Sequence, residues 1–235
     1  MTLLTIEDLD VRYGKSQALR DISLEIGEGE IVGVIGPNGA GKTTLLDSIS
    51  GLKDYDGTIT FNDADLSNGS PQSVVSQGLI HCTEERDLFP FFSVEKNLLM
   101  GAYARNPDDV DERLNDVYEL FPRLEERYDQ NAGTMSGGER QMLAIGRSLM
   151  GDPELLMLDE PTLGLAPVII DEISEALEQL RSDNVTVLLA EQNSTFALKH
   201  ADRLYLLETG EIELFGPSDE FKDNEYIRDA YMGVV

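Results

Sequence analysis

Apolar and polar positions follow two periods along this chain, and the change of period divides it. Leu3 to Val11, Ile22 to Ile26 and Glu30 to Ile35 are strand-like runs, the last two joined by the turn Gly27-Glu28-Gly29-Glu30. A helix-compatible run follows Gly36 and continues through Leu52, and Gly57 to Phe61 reads as an edge strand. Leu79 to Thr83 is a further apolar run ahead of a loop. From Ser93 to Met150 the period becomes helical. Ser93 is suited to capping, Glu95 lies in the first turn, and Val110, Leu114, Val117, Tyr118 and Phe121 fall on one face. Leu155–Leu158, Ile169–Leu180, Val185–Ala190, Ser194–His200 and Leu204–Leu207 then alternate strand with helix. That alternation predicts an α/β fold with a mainly parallel sheet covered on both faces, the helical middle being an insertion.

Length and composition narrow the class. The 235 residues suffice for one domain with a substantial core, and 41% hydrophobic content suits an ordinary soluble protein. No run reaches the ~20 apolar residues of a membrane span, and the N-terminus lacks the basic-then-apolar order of a signal peptide. Cys82 is the single cysteine, so an internal disulfide is excluded and a reducing, cytosolic setting is expected.

Charge changes the picture more. Forty-five acids against eighteen bases give a formal net charge of -27, spread along the whole chain. Such a surface repels nucleic acid, whose nonspecific binding depends on basic groups. It also repels itself, and concentrated salt relieves that repulsion by shortening the screening length. A salt-loving source is the expectation.

Three stretches carry candidate chemistry. Gly36 to Thr44, GPNGAGKTT, follows the apolar strand IVGVI and opens a helix, the setting that the pattern G-x-x-x-x-G-K-[ST] requires. Its glycines, Gly36, Gly39 and Gly41, and Asn38 let backbone N–H groups turn toward phosphate oxygens. Lys42 supplies a positive charge to the outer phosphates, Thr43 a hydroxyl for Mg²⁺, and Thr44 closes the motif. The bland alternative is a glycine turn with a chance lysine, and the flanking strand and helix weigh against it.

In LLMLDEPT, Leu155 to Thr162, a buried strand emerges at two carboxylates: Asp159 is suited to holding Mg²⁺, and Glu160 to orienting a water. With acids so abundant, either alone would more often be a solvated charge. In MSGGERQ, Met135 to Gln141, Ser136 is suited to capping a helix while Gly137 and Gly138 leave N–H groups open to an anion. Val185 to Thr195, VTVLLAEQNST, turns sharply polar after its apolar run, and Asn193 or Ser194 is placed to cap the next helix.

Together these motifs resemble the nucleotide-binding subunit of ABC transporters, over nearly the whole chain. The resemblance implies a P-loop NTPase with a RecA-like core, an antiparallel β subdomain and a helical subdomain carrying the signature. It divides the single domain into residues 1–84 and 151–235 as core with β subdomain, and 85–150 as helical subdomain. It implies that Tyr13 stacks on adenine, that ATP and Mg²⁺ are bound, and that Ser136, Gly137 and Gly138 face a second subunit's nucleotide. Three departures narrow the subfamily: Glu84 at the glutamine-loop position, where it becomes a metal ligand; Ala166 within LGLAP, where an aspartate is usual; and Gln192 at the switch-histidine position.

With FPFFSVEKNLLMGAY after the loop, the set is similar to the ATPases of branched-chain amino-acid uptake (the LivF type) and to urea and amide importers. Thr83, where a proline is usual, and Glu85-Arg86-Asp87, in place of a glycine and basic residues, fit that subfamily less well. The implied partners are two membrane permease subunits, a second ATP-binding subunit (related, or another copy) and an extracellular binding protein. The implied location is the inner face of the membrane. Glu160 and Gln192 are the implied catalytic pair, and exposure of at least one of Phe89, Phe91 and Phe92 would fit a docking patch. A non-transport ABC ATPase and an ATP-binding regulatory module remain alternatives.

Overall fold

The structure, a computed structural model, describes residues 1–67, 69–104, 109–224 and 227. Two long strands, β1 (Thr2–Tyr13) and β2 (Ser16–Gly27), pair antiparallel around a tight turn at Gly14. β4 (Asp56–Phe61) adds to β1, and the two-residue β5 (Ala64–Asp65) adds to β4, giving a four-stranded antiparallel sheet in the order β2-β1-β4-β5. Gly57 to Phe61 is therefore an interior strand, not the edge that its short alternating pattern predicts. The covering strand β5 is too short and polar to signal itself.

The second sheet is built on β3 (Ile31–Ile35), with β6 (Leu79–Cys82), β7 (Leu155–Asp159), β8 (Thr186–Glu191), β9 (Arg203–Glu208) and β10 (Glu211–Pro217). Its order is β10-β9-β3-β8-β7-β6; all neighbours are parallel except the β9–β10 hairpin at one edge. The central strands are apolar except at the ends of β7 and β8, because both faces are buried. Ile31 and Ile35 join one hydrophobic cluster, while Val32 and Val34 join the other; Leu156 and Leu158 divide from Leu155 and Met157 in the same way. Each such side chain contributes roughly 1.5–3 kcal/mol of burial free energy.

One cluster lies between this sheet, the antiparallel sheet and α1 (Lys42–Ile49). The other holds α6 (Gly137–Leu149), α7 (Pro167–Ser182), α8 (Ser194–His200) and the helices that follow β6. Those are α3 (Val94–Gly101), α4 (Val110–Leu120) and α5 (Pro122–Glu125). Val117 and Phe121 are buried there and Val110, Leu114 and Tyr118 pack beside them, so the predicted helical face is the packed one. Ser93 caps α3 through Lys96 N–H.

α1 is shorter than the run from Gly36 to Leu52 suggests, because residues 36–41 are a loop and Gly51 takes a left-handed φ of 72°. Two further helices, α2 (Pro71–Ser76) and α9 (Ser218–Asp223), and strand β10 lie outside the elements that the hydrophobic pattern marks. None of the described helices is long and apolar enough to cross a membrane.

Candidate functional site

The parallel order brings the C-terminal ends of β3, β7 and β8 side by side, with Ile35 opposite Glu191 and Asp159 opposite Ala190. Ligands of open α/β sheets bind at such strand ends. The loop after β3 is shaped by close approach: a side chain at Gly36 would stand 2.1 Å from the Leu207 carbonyl oxygen. Gly41, at φ 114°, precedes α1, whose N-terminus has no side-chain cap and whose first residues line the adjoining cavity, an arrangement suited to binding an anion.

That cavity, about 490 Å³, is lined by Asn38, Gly39, Gly41, Lys42, Thr43 and Thr44 together with Glu84 and Glu160. Most of the sequence-predicted phosphate residues are thus brought together with Glu160 and Glu84, while Gly36 and Asp159 do not line the cavity. A larger cleft of about 710 Å³ between α4 and α7 has five acids on its rim and contains none of these groups.

Lys42 is buried, donating to the carbonyls of Gly36 at 2.7 Å and Pro37 at 3.2 Å and pairing with Glu160 Oε1 at 3.0 Å. The other Glu160 oxygen accepts the Gln192 N–H at 3.0 Å. Glu160 holds this place with φ 47°, a conformation seldom adopted by a residue with a side chain. The two carboxylates do not emerge as the strand pattern suggests: Asp159 is 1% exposed and Glu160 7%.

Among the described residues, neither oxygen of Asp159 has a partner at hydrogen-bond geometry, the Thr43 hydroxyl being the nearby donor. Burial pushes its pKa up to about 6; the Thr43 hydroxyl nearby pulls the other way, and the charges of Glu160 and Glu84 raise it further. An unpartnered buried carboxylate beside a hydroxyl and a second carboxylate is a hard-oxygen set suited to Mg²⁺.

Gln192 is exposed, and its residue lines a shallow adjoining pocket with Thr162, Leu163 and Glu191. Asn193, rather than Ser194, caps α8 by accepting the Phe196 N–H. Tyr13 is half exposed at the end of β1, with the Lys53 ammonium 3.8 Å from its ring centroid. Ser136, Gly137 and Gly138 lie outside the phosphate cavity. Ser136 caps α6 in a reciprocal box with Glu139. Gly138 presses so closely on Ile169 of α7 that an added Cβ would come within 2.6 Å, whereas Gly137 faces open space.

A family model described as ABC transporter matches residues 19–163, which contain the phosphate loop, the signature and the paired carboxylates. The chain belongs to the ABC transporter family. It is 48% identical to the high-affinity branched-chain amino acid transport ATP-binding protein BraG of Pseudomonas aeruginosa, over 98% of this chain and 100% of that one. It is 35% identical to the probable branched-chain amino acid transport ATP-binding protein LivF of Archaeoglobus fulgidus, over 99% and 100%. Among solved structures, a nucleotide-free ATP-binding cassette from an ABC transporter superposes with a TM-score of 0.86 at 27% identity, covering all of both chains. The ADP conformation of the cassette MJ1267 gives 0.85 at 26%, also over both whole chains. This ABC chain is an ATPase subunit, with the fold that the motifs predict.

Reading motifs alone misses the side chains that brace this ABC site. Glu191 is fully buried and hydrogen-bonded to Thr162 and Asn193. Arg147 of α6 donates to the carbonyls of Arg86 and Asp87, both at 2.7 Å, and Arg86 Nε donates to Gln141 at 2.5 Å. They fix the loop after Glu84, in which Arg86 and Asp87 both have positive φ. For Glu191 the available signal is a carboxylate continuing an apolar strand; for Arg147 the sequence offers none.

Proposed function

We propose that this chain is the ATP-hydrolysing subunit of an importer of branched-chain amino acids, or of a related small polar solute such as urea or an amide. One observation carries the hydrolytic part. The Lys42 ammonium, the Glu160 carboxylate and the unpartnered Asp159 carboxylate converge beside an uncapped helix N-terminus. The end-to-end similarity to BraG supports the substrate class.

In this reading, phosphates lie against the N–H groups of Gly36, Asn38, Gly39, Gly41, Thr43 and Thr44, and Lys42 exchanges Glu160 for an outer phosphate oxygen. Glu160, released at Oε1, orients a water for in-line attack on the γ-phosphate. Gln192 donates its amide N–H to that phosphate and, unlike an imidazole, neither takes up nor releases a proton near neutral pH. Thr43, Glu84 and Asp159 are the residues that would hold Mg²⁺. The ion would supply positive charge to offset that of the outer phosphates. Tyr13 stacks on adenine.

Ser136, Gly137 and Gly138 face the nucleotide of a second ATP-binding subunit, either a related chain or another copy. Two permease subunits dock on the exposed Phe89, Phe91 and Phe92, which are 41%, 89% and 40% exposed. That docking holds the chain to the inner face of the membrane, and an extracellular binding protein delivers solute to the permeases. Residues 1–84 and 151–235 form the core with its β subdomain, and 85–150 the helical subdomain. The net charge of -27 argues against a nucleic-acid partner.

Reconstitution with the two permeases, the paired ATPase and the binding protein in vesicles tests the assignment. ATP-dependent uptake of labelled leucine is expected. Uptake of urea without leucine would move the substrate, and hydrolysis without uptake of either would count against both solutes.

A further inference from the structure

Glu191 is the last residue of β8 and is completely buried. Its Oε1 accepts both the backbone N–H of Thr162, at 3.0 Å, and the Thr162 hydroxyl, at 2.7 Å. Its Oε2 accepts the Asn193 N–H at 3.1 Å. Burial raises its pKa to about 7, while the hydrogen bonds from Thr162 and Asn193 favour the charged form. A carboxylate kept in such a place needs its donors, and here they come from two segments about thirty residues apart in sequence.

Each segment leads to the candidate reaction centre. Thr162 begins the turn in which Leu163 N–H bonds to the Glu160 carbonyl and Leu165 N–H to the Thr162 carbonyl, before α7 starts. Asn193 follows Gln192 and caps α8. Gln192 is therefore held on both sides: its own N–H by Glu160 and the next N–H by Glu191. Gln192 is nevertheless exposed.

We infer that Glu191 is a positioning residue for hydrolysis, a buried clamp that fixes the Thr162 turn and the Gln192 segment in one register about Glu160. Glu191 touches no reacting atom; it acts through the two segments that it joins. The inference rests on the roles proposed for Glu160 and Gln192.

The test compares Glu191→Gln, Thr162→Val, Thr162→Ser and the Glu191→Gln/Thr162→Val pair in the assembled transporter, measuring kcat, KM for ATP and Tm, with Glu160→Gln as control. An amide at position 191 cannot accept on both sides, so Glu191→Gln should lower kcat about tenfold, the scale of a lost charged hydrogen bond, with KM changed less than about twofold. Thr162→Val should lower kcat in the same direction, Thr162→Ser should restore it, and the double variant should be no slower than Glu191→Gln alone.

Wild-type kcat in Glu191→Gln, or a rise in KM at unchanged kcat, overturns the inference. If Glu191→Gln fails to fold, the threonine pair decides: equal rates for Thr162→Val and Thr162→Ser overturn it. Normal multiple turnover by Glu160→Gln overturns the parent reading and this inference with it. A Glu160→Gln loss beside an unaltered Glu191→Gln overturns this inference alone.

Discussion

Gln192 shows how much chemistry one side chain leaves out. Its backbone is fixed while its exposed amide stands at the rim of the site, and an amide does not titrate near neutrality. Gln192→Ala should slow turnover in the assembled transporter while ATP affinity moves less than about twofold, the signature of an interaction made chiefly in the transition state. Wild-type turnover would reduce Gln192 to a strand end. A titrating group lies instead at His81 on β6, where Ser50 Oγ is 2.9 Å from Nδ1 and Nε2 is shut from solvent with no partner among the described residues. Burial lowers its pKa from 6.5 to about 4, against the pull of Asp87. Between those values the unfolded chain binds a proton that the folded chain refuses. The contribution is therefore intact above pH 6.5 and is lost as pH falls toward 4, amounting to about 3 kcal/mol at most. Urea denaturation across this range should show His81→Gln losing stability less steeply than wild type; parallel curves would exclude His81 as the source.

At the scale of elements, the phenylalanine loop before α3 is held from beneath by Asn97. This fully buried amide accepts the Phe89 N–H at 2.9 Å and donates to the carbonyls of Phe89 at 3.1 Å and Ser93 at 3.0 Å. Asn97→Ala would strand those groups, at a cost of about 2–3 kcal/mol, lowering Tm by roughly 4–10 °C. Co-purification with the permeases should suffer more than ATP binding, because the loop carries Phe91 and not the phosphate cavity; equal losses would show a general collapse instead. Asn97 also marks where sequence reading ends. β3, β7 and β8 are legible because burial on both faces leaves continuous apolar runs, and Lys42, Asp159 and Glu160 are legible because they follow such runs at fixed offsets. β5 and β10 are short or polar at alternate positions and exist through pairing with distant partners, which no local period records. The same holds for Glu191, Arg147 and Asn97: each has meaning only through groups brought near by the fold, and in so acidic a chain one more glutamate draws no notice.

For the whole molecule the dominant quantity is the net charge of -27. The cleft between α4 and α7 gathers part of it, with Asp116, Glu119, Asp152, Glu175 and Asp183 around one opening that Arg113 also lines. Self-repulsion over so acidic a surface opposes the compact state, and salt weakens that opposition. Tm measured by calorimetry should therefore rise as KCl goes from dilute to molar; a fall would sink the expectation of adaptation to salt. The exposed ring of Tyr13 has an optical consequence. The chain contains no tryptophan and eight tyrosines, so its ultraviolet emission is tyrosine emission throughout. With the Lys53 ammonium already over its ring, Tyr13 has one face left for a base. If adenine stacks on Tyr13 as proposed, its arrival would dim a native fluorophore, giving a label-free record of when the base is seated.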